Sequence, residues 1–230
     1  MIAKKIIDIC NSDTYPKELV KVLKGNASDD ECYKIIKDYY LLSFHFTRLC
    51  SKSDVENNGL KRFDINETLN HVMNVYNKIY DNEEECLKIK EAVNDYIKIY
   101  DSHNEDGTIS NSRQNKLCFV SGCSKKLKEY EFFSELFGGE LISNSTKKYG
   151  FHDKLINIGK PYCVMFYIPI KYINMTSKGN QISSLIEIMK NNYNCDKRKL
   201  FDGYLYNMDI SNKLILKIIT IEELNKMNWY

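Results

Sequence analysis

Apolar residues recur at two different spacings along this chain, and the points where the spacing changes mark its elements. Ile65, Leu69, Val72, Tyr76 and Ile79 stand three and four apart, which predicts an amphipathic helix. Asp64 and Glu67 form the capping pair at its start. A second helix is predicted from Glu83 to Ile99, with Cys86 or Leu87, Val93, Tyr96 or Ile97 and Tyr100 turned inward. The two arms join around Asp81-Asn82, so residues 64–100 read as a helical hairpin. Ser28 to Glu31 is a capping box that opens a helix towards Lys37, Gln181 to Tyr193 reads as another helix, and Thr220 to Glu223 caps a closing one. KKLKEYEFFSELF (125–137) is predicted to be a helix that stops on Gly138-Gly139.

The remaining apolar runs read as strands. Tyr39 to Leu49 is the first and is rich in aromatic residues; LCFVS (117–121), Glu140 to Ser143, 203–207 and 213–219 follow. PYCVMFYIPI (161–170) is almost continuously apolar, as expected of a central strand covered on both faces, with Pro161 and Pro169 near its ends. Residues 101–115 are polar, contain Gly107 and lack periodicity, which marks a long loop. Helices concentrated in the first half, with strands in mixed surroundings, give an α+β fold. The chain is read as one domain over 1–230, with small mixed sheets and a helical insertion after the first strand.

Composition narrows the function classes. The net charge of +2 describes a solvated surface and not the basic field of a dedicated nucleic-acid binder. Lys4, Lys5 and Asp8 interrupt the opening apolar stretch, and no apolar run has transmembrane length, so a cytoplasmic protein without a membrane partner is expected. The eight cysteines are then read as reduced thiols. Cys118 and Cys123 have no matching second pair, and His71, His103 and His152 lack metal-ligand spacing, so no metal site is expected. Gly-rich nucleotide fingerprints are absent, and pairing Cys163 with His45 as a nucleophile requires a proximity that spacing alone does not give.

The candidate chemistry lies in LLSFHFTRLCSKSDVENNGL (41–60). Alternation along a strand puts His45 and Thr47 on one face, with Phe44, Phe46 and Arg48 on the other. His45 and Thr47 are therefore the candidate ligand-facing pair. A strand histidine satisfied by a backbone carbonyl is the alternative reading of His45. Arg48 either contacts an anion or braces the strand from behind, as in a buried ion pair with Glu140. Gly138-Gly139 is either a helix stop or a phosphate cradle.

FHFTRL followed by VENNGL resembles the first motif of ADP-ribosyltransferase-like proteins, a strand bearing a His-x-Thr sequence that leads into a short helix ending at Gly-Leu. FFSELFGGELI and INIGKPYCVMFYIPIKYI resemble later segments of uncharacterised bacterial relatives, so the resemblance covers 41–63 and 117–173. It implies an NAD-binding cleft between two small sheets. Residue by residue, it gives His45 a hydrogen bond to a ribose hydroxyl of NAD, Thr47 and Arg48 supporting places in the cofactor site, and Glu140 the role of steadying the ribosyl cation as nicotinamide leaves. The implied activity is NAD-dependent modification of a protein or nucleic-acid target by a bacterial or phage protein in a toxin, phage-defence or counter-defence setting. A catalytically inactive module that binds a nucleotide, a nucleic acid or a partner protein is the alternative.

Overall fold

A single principal sheet forms the centre of the molecule, because the strongest apolar runs of the sequence divide their side chains between its two faces. The computed structural model describes residues 5–25, 27–103, 114–122, 124–173, 175–176, 179–194 and 199–227. In chain order, β1 (Ile6–Ile7), α1 (Lys17–Leu23) and α2 (Asp29–Ile36) precede β2 (Tyr40–Leu49). Then α3 (Ser53–Asn58), α4 (Ile65–Tyr80) and α5 (Glu83–His103) intervene before β3 (Lys116–Ser121). Next come α6 (Ser124–Leu127), a 3-10 stretch at Lys128–Ser134, α7 (Gly139–Thr146) and α8 (His152–Ile156), which lead into β4 (Lys160–Pro169). The short strands β5 (Met175–Thr176) and β6 (Gly179–Asn180) pair as a ribbon, and α9 (Gln181–Asn194), β7 (Phe201–Tyr206), β8 (Ile215–Thr220) and α10 (Ile221–Lys226) follow.

The strands run β7-β3-β2-β4-β8, antiparallel throughout, and β1 adds to β2 in parallel. Pairing along β2 is unequal. On one side it matches β4 at every position from Tyr40↔Pro169 to Leu49↔Lys160. On the other it meets β3 only at Phe44↔Val120. Beyond that point the two strands separate, and Phe63 takes over by exchanging backbone bonds with Asn115 and Lys116.

Register assigns the faces. Leu41, Val164, Phe166 and Ile168 pack with Leu19, Ile36, Leu185 and Met189 from α1, α2 and α9. The opposite face carries Phe44, Phe46, Val120, Cys163, Met165 and Ile219, covered by Leu127 of α6 and Leu224 of α10. A third cluster joins Val72, Tyr76, Ile89, Val93, Phe137, Ile142 and Leu155, which welds the hairpin α4–α5 to α7 and α8. The α+β class and the helical hairpin between β2 and β3 follow the sequence pattern. The expected small sheets take the form of one six-stranded sheet and the β5–β6 ribbon.

Two expectations change. Glu140 to Ser143, predicted as a strand, is the first half of α7, and the helix predicted over 125–137 is split into α6 and the 3-10 stretch. Gly138 and Gly139 explain the first change. Their φ values of 88° and 75° turn the chain sharply, and Gly138 becomes the N-cap of a new helix. A Cβ on Gly138 would stand 2.6 Å from Ile142 Cγ1 and 2.7 Å from Val72 Cγ2, so glycine is what lets α7 seat against α4. Of the predicted loop, residues 104–113 lie outside the described residues.

Candidate functional site

His45 stands where β2 and β3 part. Continued pairing from Phe44↔Val120 would bring Cys118 opposite Phe46, and the Cys118 carbonyl would accept from that strand. The His45 ring meets it instead, with Nδ1 2.9 Å from the Cys118 oxygen. Since the carbonyl can only accept, Nδ1 is the protonated nitrogen of the neutral ring. The ring sits among packed atoms although part of the residue stays open. Burial pushes its pKa below the usual histidine value, and the bond to Cys118 opposes this. His45 is thus the carbonyl-satisfied histidine of the alternative reading.

Thr47 shares the His45 side of the sheet, opposite Tyr162, which in turn lies opposite Thr220. Lys52 lies over the Tyr162 ring, 5.2 Å from its centroid, and donates to the Ile218 carbonyl at 3.1 Å. Arg48 projects from the other face. Its Nε donates to Ile158 O at 2.8 Å, one terminal nitrogen donates to Ser134 O and Glu135 O at 3.2 and 2.9 Å, and the other donates to Ile156 O. These carbonyls end the 3-10 stretch and α8, the negative poles of two helical segments whose last acceptors have no helical partner. Burial lowers the Arg48 pKa and the Glu135 charge opposes that. Arg48 therefore braces β2 from behind, with backbone carbonyls in place of Glu140, and all three of its guanidinium nitrogens donate to backbone.

Glu140 lies in the first turn of α7, in the helical layer on the Arg48 side of the sheet. His45 and Thr47 come together; Glu140 and Arg48 do not join them. The Gly59-Leu60 pair also has a structural cause. Leu60 bridges to Ile210, and a Cβ on Gly59, whose φ is 76°, would fall 2.0 Å from the Ile210 oxygen. Cys163 is buried on the face opposite His45, where burial drives its thiol pKa up, so the two make no nucleophile pair.

Elsewhere, polar side chains hold the helical layer together. Glu85 accepts from the Tyr76 hydroxyl at 2.5 Å, and both its oxygens accept from Lys154 Nζ, at 2.7 and 2.6 Å. The Lys154 and Tyr76 bonds hold the Glu85 carboxyl below its usual pKa, while burial and Glu85 push Tyr76 up. Tyr76 is fully buried, and the cluster ties α8 to the hairpin. Among the described residues no three His, Cys, Asp or Glu are placed to hold a metal ion, and no helix is long and apolar enough to cross a membrane.

One surface was not singled out by its sequence. In β3 and β7 the residues Leu117, Phe119, Phe201 and Leu205 face the covered side. Their alternates Lys116, Cys118, Tyr204 and Tyr206 face the other. Tyr130 marks the border, its hydroxyl 2.5 Å from Asp202. Past it Cys118 is exposed, Tyr206 is 46% exposed, and the Lys116 ammonium sits 4.4 Å from the Tyr204 ring centroid. The signal that could have found this face is the period-two alternation of KLCFVS against FDGYLY.

No family model, curated protein or solved structure matches this chain. The site must therefore be read from its own geometry.

Proposed function

We propose that the chain is a non-catalytic binding module that holds a short single-stranded nucleic acid on the uncovered β3–β7 face. One observation carries the reading: Tyr204, Tyr206 and Lys116 lie on one face of the β3–β7 pair, where Tyr206 and Cys118 are exposed and Tyr204 and Lys116 half-buried. Residues two apart on a strand are spaced by roughly 7 Å, so Tyr206, and Tyr204 once Lys116 moves off its ring to a phosphate, offer separate platforms for neighbouring unstacked bases. Every base has a π-face, which makes such stacking tolerant of sequence, and it is worth about 1–3 kcal/mol per base. Lys116 supplies a cation for the backbone phosphate. The low net charge of +2 suits a contact of a few nucleotides better than a long electrostatic track.

Fluorescence polarisation with short labelled oligonucleotides tests this. The expected result is salt-dependent binding that weakens by about 5–150-fold in Tyr204→Ala and in Tyr206→Ala, the equivalent of one lost stack. Binding unchanged in both variants, or no binding at micromolar protein, removes the proposal. NAD and ADP-ribose belong in the same series. Transfer of ADP-ribose would need a carboxylate other than Glu140 beside His45, and NAD turnover abolished by His45→Ala in a folded protein would favour that reading.

A further inference from the structure

The β3–β7 face has a polarity along its length. Register sets Lys116 against Tyr206, Cys118 against Tyr204 and Val120 against Asp202. A cation therefore stands at one end and a carboxylate at the other, with Tyr204 between them. Alternation keeps Asp202 on the same side of β7 as both tyrosines. Asp202 is exposed, yet its carboxylate is held at one oxygen. The Tyr130 hydroxyl donates to Oδ2 at 2.5 Å, and the Tyr130 ring is stacked on those of Phe46 and Phe133, with centroids 6.5 and 6.0 Å away. Oδ1 accepts from no described residue. The backbone that carries the Tyr204 ring is fixed too: its N–H donates to Gln181 Oε1 at 2.8 Å, and Gln181 Nε2 donates to its carbonyl at 3.3 Å.

We propose that Asp202 selects guanine for the place on Tyr204, an inference that rests on the nucleic-acid reading of this face. Residues two apart on a strand are spaced by roughly 7 Å, so a base lying on the Tyr204 ring brings one edge to Asp202 while its phosphate lies towards Lys116. A carboxylate only accepts, so it favours a base edge made of donors and repels one made of acceptors. Among the common bases guanine alone sets two donors side by side, N1–H and the 2-amino group, to match the two oxygens. Each oxygen has two lone pairs, so Oδ2 accepts from guanine without releasing Tyr130. Thymine and uracil offer one N–H flanked by two carbonyls, and adenine and cytosine set a ring acceptor beside their amino group. Because Tyr130 already orients the carboxylate, little side-chain freedom is lost in making the contact.

Fluorescence polarisation with short labelled oligothymidylates tests this, each carrying one central guanine, adenine, cytosine or hypoxanthine in place of thymine. Wild type should bind the guanine oligonucleotide at least about fivefold more tightly than those with thymine, adenine or cytosine, the low end for a bidentate base contact. Hypoxanthine, which keeps N1–H but lacks the 2-amino group, should fall between. In Asp202→Asn an amide donor replaces one acceptor, and the preference for guanine should be lost. Equal binding of all the oligonucleotides by wild type, still weakened by Tyr206→Ala, overturns the role of Asp202 and leaves the stacking face standing. A guanine preference that survives in Asp202→Asn overturns it as well. Failure to bind any oligonucleotide removes the face and this inference together.

Discussion

Replacing Arg48 by alanine is the sharpest perturbation of the fold, because one side chain ties three separate segments together. Its guanidinium satisfies the carbonyls of Ser134, Glu135, Ile156 and Ile158, and the contact to Glu135 is the most exposed of the four. A buried carbonyl left without a donor costs about 1–3 kcal/mol. Water entering the vacated space restores part of that, so the low end applies to the three less exposed groups, giving about 3 kcal/mol in all. For a chain of this size each kcal/mol shifts Tm by roughly 2–4 °C, so Arg48→Ala should lower Tm by about 6–12 °C. Arg48→Lys keeps the charge but not the planar fork, and should recover less than half of the loss. Urea denaturation gives the free energy, and hydrogen exchange gives the location. Amides of α7 and α8 should exchange faster while those of β4 and β8 stay protected. A loss below about 0.5 kcal/mol, or uniform loosening of the whole chain, would refute the brace. Weakened anion binding at unchanged stability would restore Arg48 to a ligand role.

Other consequences follow from single contacts. His45 has a native pKa below its unfolded value, so the unfolded chain binds more protons as pH falls through about 6.5. Stability is therefore full above that pH and declines below it, and melting curves from pH 7.5 to 5 should show a shallower decline in His45→Gln. Gly59→Ala should cost about 1–3 kcal/mol from a backbone conformation that only glycine adopts readily, and more from the collision with Ile210, seen as a lowered urea midpoint. Thr220→Ala removes one half of a complete capping box and should cost about 1 kcal/mol by the same assay. Lys154→Met should loosen the hairpin from α8, detected as faster amide exchange in α4 and α5 and not in the sheet.

What could be read from the sequence was local, and what escaped it depended on distant backbone. The Ser28–Glu31 and Thr220–Glu223 boxes close as their spacing predicts, because cap and acid lie within one turn. At Asp64 the acceptor half forms with the Glu67 amide, and Gln114 binds the second carboxylate oxygen. The alternation along β2 correctly separates His45 and Thr47 from Arg48. Their partners were beyond reach, since His45 meets a carbonyl 73 residues away and Arg48 meets carbonyls 86 to 110 residues away. A backbone acceptor leaves no residue-type signature. In the sequence the glycines before Glu140 read as a helix stop, which predicts a strand after them; packing of Ile142 against the hairpin makes them a start. Tyr204 and Tyr206 were visible as strand residues, but their exposure depends on which half of the sheet the helices cover.

The most direct test of binding through the β3–β7 face is to map ligand contacts by amide chemical shifts. Titration of a short single-stranded oligonucleotide into isotope-labelled protein should move the amides of Lys116, Cys118, Tyr204 and Tyr206 together and leave His45, Thr47 and Glu140 still. Perturbations that avoid β3 and β7, or that gather around His45 on addition of NAD, would contradict it.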